Sequence, residues 1–371
     1  MTTTIGVGLT ASPTAAATGG SVACSTSALT TAISNAAAGD TLSLTRHCTY
    51  HLTSAFVNSD GLPVVDKQLT INGHGATIVR DSAAAGAFRI FHVVSGGDLR
   101  LDDVTVRGGN APGDGGGILV DGGGKLKLAR VTVRDNTASV RGGGVAALAG
   151  ATAVIKHSWF KFNNADTGGG LQSDGTVSAD DTEFTRNHAR RFGGAIDHDA
   201  GNAVFTGVAL QNNTAAGVGG AVDIDGGTVE FVKSKILNNT STDTHGGGIW
   251  NGASLKLTDT EVSGNVIGGA GGKGGGIYNT GTVALPATLV LKNSTVSRNS
   301  ANGSGTSQAG GIYNTGGAVT LDHSTVDDNA STVAPGGVWT NIQFTVVQST
   351  IKNNIPTNCA GSPVIVTGCA N

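Results

Sequence analysis

Residues 184–197 read FTRNHARRFGGAID, and residues 210–223 repeat the pattern as LQNNTAAGVGGAVD. In both stretches Asn follows an apolar residue by three positions, and a Gly-Gly-Ala run then leads to one apolar residue and an Asp. Similar glycine runs, each closed by an apolar residue, recur between residues 115 and 338 at steps of 25 to 28 residues, with one step of 35. Self-similarity with a period in the twenties indicates stacked structural repeats.

Each repeat also carries alternating apolar pairs, such as Leu126 with Leu128 and Val131 with Val133. Alternation with a period of two predicts β-strands that have one buried face. Strands this short and this regularly spaced cannot pair as hairpins. We therefore predict one right-handed parallel β-helix, an all-β solenoid of about ten coils with three parallel sheets.

An asparagine follows the last strand of nearly every repeat. Side-chain amides stacked at one turn can bond to each other and to the turn backbone, so these residues predict an inward ladder. The members are Asn136, Asn163, Asn187, Asn213, Asn239, Asn265, Asn299, Asn329 and Asn354.

The composition excludes several classes of protein. Glycine accounts for 60 of 371 residues, but there are only 7 prolines and no three-residue glycine period, so the chain is not collagen. A hydrophobic content of 38% argues against disorder. The net charge of −3 comes without a basic field, so we expect no nucleic acid partner. No apolar run is long enough to predict a membrane span, and we expect a monomer.

Four segments follow from this pattern. We expect residues 1–19 to be the remnant of a secretory signal or a disordered segment. Residues 20–98 should form an N-terminal cap and the first coils, 99–354 the regular repeats, and 355–371 a C-terminal cap. Within the first cap, residues 25–38 predict a short amphipathic helix, because a bare end coil exposes unpaired strand edges.

The cysteines lie in two pairs near the chain ends, Cys24 with Cys48 and Cys359 with Cys369. Two disulfides predict an oxidising compartment and therefore a secreted or extracellular protein. Four free thiols are the alternative.

Carboxylates break the repeat at the two outward positions that follow the glycine run. Asp197 and Asp223 take the first position in successive coils, and Asp199 and Asp225 take the second. One coil earlier, the same positions hold Gln172 and Asp174. Neighbouring coils lie about 4.8 Å apart, so these charges should repel each other unless something offsets them.

Three offsets remain open at this point. Asp197 and Asp223 could bind a cation such as Ca²⁺. Arg190 and Arg191 could pair with the carboxylates. Alternatively, one carboxyl group could stay protonated, as a general acid requires; paired carboxyl groups suit glycosidases. A uronate lyase would instead need a base, for which Arg190, Arg191, His188 and His245 are the candidates.

An aromatic run continues the column of Asp197 and Asp223. Its members are Trp250, Tyr278, Tyr313 and Trp339. Exposed rings beside carboxylates predict a sugar-binding groove, with Trp250 and Tyr278 closest to the acids. The alternative is that the rings only stabilise the stack. The alternation places His198 inward, as a core residue.

A second column, on the third strand of each repeat, is basic. Arg107, Arg134 and Lys161 stack there in three successive coils. A solvated face is one interpretation of this column, and binding of an anionic polymer is the other.

The repeat motifs carry a family resemblance. Gly193-Gly-Ala-Ile196, Gly219-Gly-Ala-Val222, Phe160-x-x-Asn163 and Phe184-x-x-Asn187 resemble the repeats of polymorphic outer-membrane proteins. Residues 99–354 as a whole resemble the right-handed parallel β-helix proteins of the pectate-lyase-like superfamily. That resemblance implies polysaccharide lyases, glycoside hydrolases, uronate epimerases and non-catalytic adhesins alike.

The leading hypothesis is an exported protein that cleaves a polysaccharide, as a lyase or a glycoside hydrolase. Its catalytic residues would be Asp197, Asp199, Asp223, Asp225, Arg190 and Arg191. Its binding residues would be Gln172, Asp174, His188, His245, Trp250 and Tyr278. The alternatives are a non-catalytic surface or adhesion protein and an isomerase or cyclase acting on a small metabolite. A pocket walled by insertions at 264–274 and 300–309 would favour catalysis.

Overall fold

A computed structural model describes residues 21–243, 245–281 and 287–370. These residues form a parallel β-solenoid of about 11 turns with three parallel sheets and one helix near the N-terminus. The predicted all-β parallel solenoid is therefore confirmed. The predicted signal remnant at residues 1–19 lies outside the described residues.

The strands stack in register from coil to coil. The longest sheet has 22 strands, because both the second and the third strand of each coil belong to it. Its strands are Asp40–Ser43, Thr49–Ser54, Gln68–Ala85, Asp98–Arg107, Lys125–Ala129, Thr132–Arg134, Thr152–Lys156, Trp159–Lys161, Thr176–Asp180, Glu183–Thr185, Asn202–Thr206, Ala209–Gln211, Thr228–Val232, Lys235–Leu237, Ser254–Thr258, Glu261–Ser263, Thr288–Lys292, Thr295–Ser297, Ala318–Asp322, Thr325–Asp327, Phe344–Val347 and Thr350–Lys352.

The other two sheets contain shorter strands. The ten-stranded sheet contains Phe91–Val93, Ile118–Val120, Val145–Ala147, Leu171–Ser173, Ile196–His198, Val222–Ile224, Ile249–Asn251, Ile277–Thr280, Ile312–Thr315 and Val338–Thr340. The nine-stranded sheet contains Asn110–Ala111, Thr137–Ala138, Asn164–Thr167, His188–Phe192, Thr214–Ala215, Thr240–Ser241, Val266–Ile267, Ser300–Ala301 and Ala330–Ser331.

The asparagine ladder is confirmed along its whole predicted length. Each Nδ2 donates to the Oδ1 of the next asparagine, as from Asn187 to Asn213 at 3.0 Å and from Asn213 to Asn239 at 2.9 Å. All nine members are buried, and Asn358 accepts from Asn354 at the end of the row. Sequence reasoning missed a second inward ladder, in which Asn251, Asn279, Asn314 and Thr340 bond in series.

Both chain ends are covalently tied. The predicted N-terminal helix spans Thr26–Asn35, its Ser25 cap accepts from the Ala28 N–H, and it buries Leu29 and Ile33. Disulfides join Cys24 to Cys48 and Cys359 to Cys369, which confirms the predicted pairing.

Candidate functional site

The first outward position of the ten-stranded sheet forms one continuous row, which we call the floor column. It contains His92, Leu119, Ala146, Gln172, Asp197, Asp223, Trp250, Tyr278, Tyr313 and Trp339, each paired with the next. The register predicted from Leu119 onward is therefore confirmed. The column begins one coil earlier than predicted, at His92.

Two rows of side chains flank the floor column. On one side is the acidic wall, which we define as Asp121, Asp174, Asp199 and Asp225. Its register is fixed by the backbone, since Asp199 N–H donates to Ser173 O and Asp225 N–H donates to His198 O, both at 3.0 Å. On the other side is the residue that precedes each glycine run, and successive members of that row form parallel bridges. Near the carboxylates these residues are Arg141, Thr167, Phe192 and Val218.

The glycine that follows each residue of the row before the glycine runs lets that row approach the floor column closely. Gly193 has a positive φ of 58°, and a Cβ there would lie 2.1 Å from the Ile196 carbonyl oxygen. Only a residue without a side chain allows the chain to fold back this closely. Phe192 therefore lies alongside the strand that carries Asp197.

Asp197 and Asp223 point away from the core but are covered by these flanking rows. They are only 2% and 1% exposed, and each has a buried Oδ1 without a hydrogen-bond partner. Burial raises the pKa of Asp223 well above 3.8, and the neighbouring Asp197 raises it further. Burial likewise raises the pKa of Asp197, followed by the charge of Asp199. The sequence predicted that Asp197 and Asp223 point outward, but it did not predict that they are buried. Because they are buried, their carboxyl oxygens are out of reach of a polymer.

The accessible carboxyl groups belong to the acidic wall. Burial raises the pKa of Asp199 to about 6, and the charges of Asp174 and Asp225 and a hydrogen bond with Asp174 contribute further. The Gln172 amide donates to Asp174 and, at 3.3 Å, to Asp199. Asp199 is thus a carboxyl group that holds its proton to unusually high pH beside a second carboxyl group.

The arginine at this site is Arg141, which sequence reasoning missed. Its Nη1 lies 3.0 Å from Asp174 and its Nη2 lies 2.8 Å from Asp114. The hydrogen bond to Asp114 raises the pKa of Arg141, so the guanidinium stays charged. A column alignment of the residue before each glycine run would have placed Arg141 next to the acids.

Pairing of the carboxylates with Arg190 and Arg191, one of the three offsets that the sequence left open, does not occur. Both lie in the nine-stranded sheet, where they pair with Asp166 at 3.3 and 2.6 Å. His188 lies in that sheet too, paired with Thr214, and is not brought to the carboxylates.

His245 belongs to the row before the glycines, but two coils past Phe192. Its ring lies 4.4 Å from that of Tyr278, and burial lowers the pKa of His245. The structure therefore places His245 beside the aromatic end of the floor column.

Sequence reasoning also missed a charged network at the N-terminal end of the floor column. His92 Nδ1 lies 2.9 Å from Asp60 and its Nε2 lies 3.0 Å from Asp121, while Arg89 also pairs with Asp60. Burial opposes protonation of His92, but the two carboxylates outweigh it and raise the pKa of the imidazole. Four coils separate His92 from Asp197, a distance of about 19 Å.

At the other end, the floor column becomes a ring stack. Ring centroids lie 5.4 Å apart between Tyr278 and Tyr313 and 4.1 Å apart between Tyr313 and Trp339, with nearly parallel planes. Trp250 covers Gly252, where a Cβ would lie 2.6 Å from the indole ring. Because these rings stack face to face, a ligand would meet their edges and hydroxyl groups rather than free ring faces. Sugar binding by Trp250 and Tyr278 remains a prediction.

The inward face below the acids is also polar. His198 is fully buried, as predicted, and burial lowers its pKa. Its Nδ1 and the Oγ of the adjacent Ser173 have no hydrogen-bond partner. Both side chains are sealed from solvent, so neither can contact a polymer.

A metal site finds little support in the described part of the chain. Within it, no group of three or more His, Cys, Asp or Glu side chains is arranged to hold a metal ion. Ca²⁺ takes six to eight oxygen ligands, and Asp197 and Asp223 offer few. Calcium binding by these two residues stays a prediction.

Comparison with known proteins agrees with this architecture. Residues 89–267 match the family model described as the right handed beta helix region. No curated protein matches the sequence significantly. The fold is consistent with the pectate-lyase-like superfamily. The family match over residues 89–267 and the stacked parallel coils together show the fold of a right-handed parallel β-helix.

Proposed function

We propose that this protein is an exported enzyme that cleaves a polysaccharide by hydrolysis. The observation that carries the proposal is Asp199, a partly accessible carboxyl group whose pKa is raised to about 6 beside Asp174. A general acid must hold its proton near the working pH, and a protein achieves this by burial and by neighbouring carboxylates.

The two carboxyl groups have different partners, and this suggests different roles. Asp174 is ion-paired with Arg141 at 3.0 Å and accepts from Gln172, so it is the ionised member. Asp199 then donates its proton to the glycosidic oxygen as the C–O bond breaks. Asp174 attacks the anomeric carbon and forms a glycosyl ester. Water, deprotonated by Asp199, hydrolyses that ester and restores both groups.

The spacing of the coils favours this two-step route. Asp174 and Asp199 occupy equivalent positions in successive coils, about 4.8 Å apart along the stack. Retaining glycosidases place their carboxyl groups about 5 to 5.5 Å apart, whereas inverting enzymes need about 6.5 to 9.5 Å to admit water. We therefore expect retention of anomeric configuration.

Charge favours a neutral substrate over a uronate. The carboxyl groups of the acidic wall give this face a negative character, and a carboxylated polymer would be repelled there. The arginines suggested as lyase bases are engaged by Asp166 on another sheet. Hydrolysis therefore agrees better with the geometry than β-elimination does.

Export agrees with the covalent structure. Two disulfides tie the chain ends, and such bonds persist mainly in oxidising compartments. Among the described residues, no helix has the length and apolar character needed to cross a membrane.

The test is reducing-end release from a panel of neutral polysaccharides: β-glucans, xylan, mannan and chitin. Asp199→Asn should lose at least a hundredfold in kcat, in line with loss of a general acid. Asp328→Asn is the matched control, because Asp328 lies in an exposed turn where other coils already carry Asn212, Asn238 and Asn353. Equal activity of wild type and Asp199→Asn would refute the assignment. Binding without cleavage across the panel would favour an adhesion protein.

A further inference from the structure

A separate surface of the longest sheet carries two exposed aromatic rings. Trp159 is 38% exposed and Phe162 is 48% exposed, and they are three residues apart at the third strand of one coil. In the two flanking coils, the position of Trp159 is held by Thr132 and Glu183. At the position of Trp159, this coil therefore exposes an aromatic ring where both flanking coils hold a polar side chain.

Phe162 also sits in an unfavourable backbone conformation. Its φ is +56°, a region that bulky side chains seldom adopt. The same turn position in other coils holds Gly108, Asp135, Asn212 and Asn238, which tolerate this region better, and also the long side chains of Arg186 and Arg298. Among the residues named at this turn position, Phe162 is the only aromatic one, and its ring is 48% exposed in a backbone conformation that does not favour it.

Cations surround both rings. Lys161 Nζ lies 5.9 Å from the Trp159 ring centroid and Arg186 Cζ lies 5.6 Å from that of Phe162. Arg107, Arg134 and Lys161 stack in three successive coils, one charge about every 4.8 Å. Of these cations, Arg134 pairs with Asp135 at 2.6 Å and Lys161 approaches Glu183 at 3.9 Å. Arg107 and Arg186 have no ion pair within the described residues, so positive charge is in excess.

We propose that this basic aromatic face, formed by Trp159, Phe162, Arg134, Lys161 and Arg186, binds an anionic polysaccharide. The regular column of cations complements a linear polymer with a regular negative charge, and the rings supply apolar contact for sugar C–H groups. A neutral glycan would leave the cations unused. A nucleic acid could also use rings and cations, but two disulfides are typical of an oxidising extracellular compartment, where carboxylated and sulfated glycans are the usual polyanions.

This face is independent of the proposed hydrolase site. Trp159 belongs to the longest sheet, whereas Asp197 and Asp223 belong to the ten-stranded sheet. Substitutions here should therefore leave cleavage of short neutral oligosaccharides unchanged. The face would act as an anchor that holds the enzyme in an acidic matrix.

The test measures binding of the full chain to polygalacturonate and chondroitin sulfate, with dextran as the uncharged control, by affinity electrophoresis and calorimetry. Trp159→Thr and Phe162→Asn copy residues that other coils hold at the same positions. Each should weaken binding roughly tenfold, the order expected for one exposed ring contact. Lys161→Gln should weaken binding and reduce its salt dependence. Phe56→Ser, which removes a ring that is 52% exposed elsewhere, should change nothing.

Stability separates function from structure at Phe162. Phe162→Asn should raise the Tm while it weakens binding, because Asn relieves the positive φ. The proposal is overturned if Phe162→Asn destabilises the fold or binds as wild type does. It is also overturned if dextran binds equally well, if neither anionic polymer binds, or if a single-stranded oligonucleotide binds more tightly. A dimer that dissociates in both aromatic variants would reassign the face to self-association.

Discussion

Replacing Asp223 with Asn should stabilise the protein at neutral pH. Asp223 is 1% exposed, lacks a partner for Oδ1, and lies one coil from the equally buried Asp197. Two charges about 4.8 Å apart repel by about 3.5 kcal/mol at an effective dielectric constant of about 20. Asn keeps the shape of the side chain and removes the charge.

The pKa of Asp223 sets an upper limit on the stabilisation expected from Asp223→Asn. If the folded chain keeps this carboxyl group protonated at pH 7, against an ordinary pKa of 3.8, the cost cannot exceed about 4.4 kcal/mol. We expect a gain of about 2 to 4 kcal/mol. With about 2.1 cal/mol/K of unfolding entropy per residue, this corresponds to a rise in Tm of about 3 to 5 °C.

The pH dependence gives a sharper signature than the size. The pKa of Asp223 is higher in the folded than in the unfolded chain, so folding takes up a proton between pH 3.8 and the raised value. Stability from this group is greatest below pH 3.8 and declines as the pH rises through that window. The advantage of Asp223→Asn should accordingly be small at pH 4 and largest at pH 7.

Thermal unfolding followed by circular dichroism at pH 4.0, 5.5 and 7.0 measures this difference. Asp328→Asn, at an exposed turn, is the control and should show no gain at any pH. The reasoning is refuted if Asp223→Asn is less stable than wild type at pH 7, or if its advantage is the same at all three pH values. Adding Asp197→Asn should bring less than twice the gain, because removal of either charge relieves the same repulsion.

Four further outcomes are expected. Asn213→Ala should destabilise the fold by about 4 kcal/mol in urea unfolding, since it removes four buried hydrogen bonds with Asn187, Phe184 and Asn239; a loss under 1 kcal/mol would contradict the ladder's role. Cleavage should decline as the pH rises through about 6, because Asp199 must be protonated, and a pH–rate profile without that basic limb would exclude Asp199 as the acid. Arg141→Gln should lower kcat more than it changes KM, since it removes the charge that holds Asp174, whereas Arg190→Gln should leave both unchanged. Replacing Cys24 and Cys48 together with Ser should cost about 3 kcal/mol, as expected for a cross-link spanning 24 residues, and an unchanged Tm would contradict this.

The register could be predicted because glycine and period-two alternation leave little freedom. A run such as Gly193-Gly-Ala tolerates no side chain at Gly193, so every coil turns at the same point and residues after it must align. A slip of one residue would exchange every inward and outward side chain. The floor column from Leu119 to Trp339 and the nine-member asparagine ladder follow from that constraint alone.

The environment of each side chain could not be predicted in the same way. Burial of Asp197 depends on the row before the glycines, whose position becomes clear only when the chain is seen to fold back at Gly193. Arg190 and Arg191 are close to Asp197 in sequence but lie in another sheet, while Arg141 is distant in sequence and adjacent in space. His92 was missed because its coil has no glycine run to mark the column.

Two unfavourable positions, Asp223 and Phe162, could each be replaced by a residue type that another coil already holds at the equivalent position. Asp223 aligns with Trp250 in the next coil, and Phe162 aligns with turn positions that hold Asp135 and Asn212. A repeat fold makes such comparison direct, because equivalent positions share backbone, neighbours and burial. A continuous core runs along the stack, and the asparagine ladders add buried hydrogen bonds over most of it, so the fold tolerates local loss. A carboxyl group buried without a partner and an exposed phenylalanine in a turn where other coils hold polar residues or glycine depart from the repeat, and that contrast is the strongest reason to test both surfaces for function.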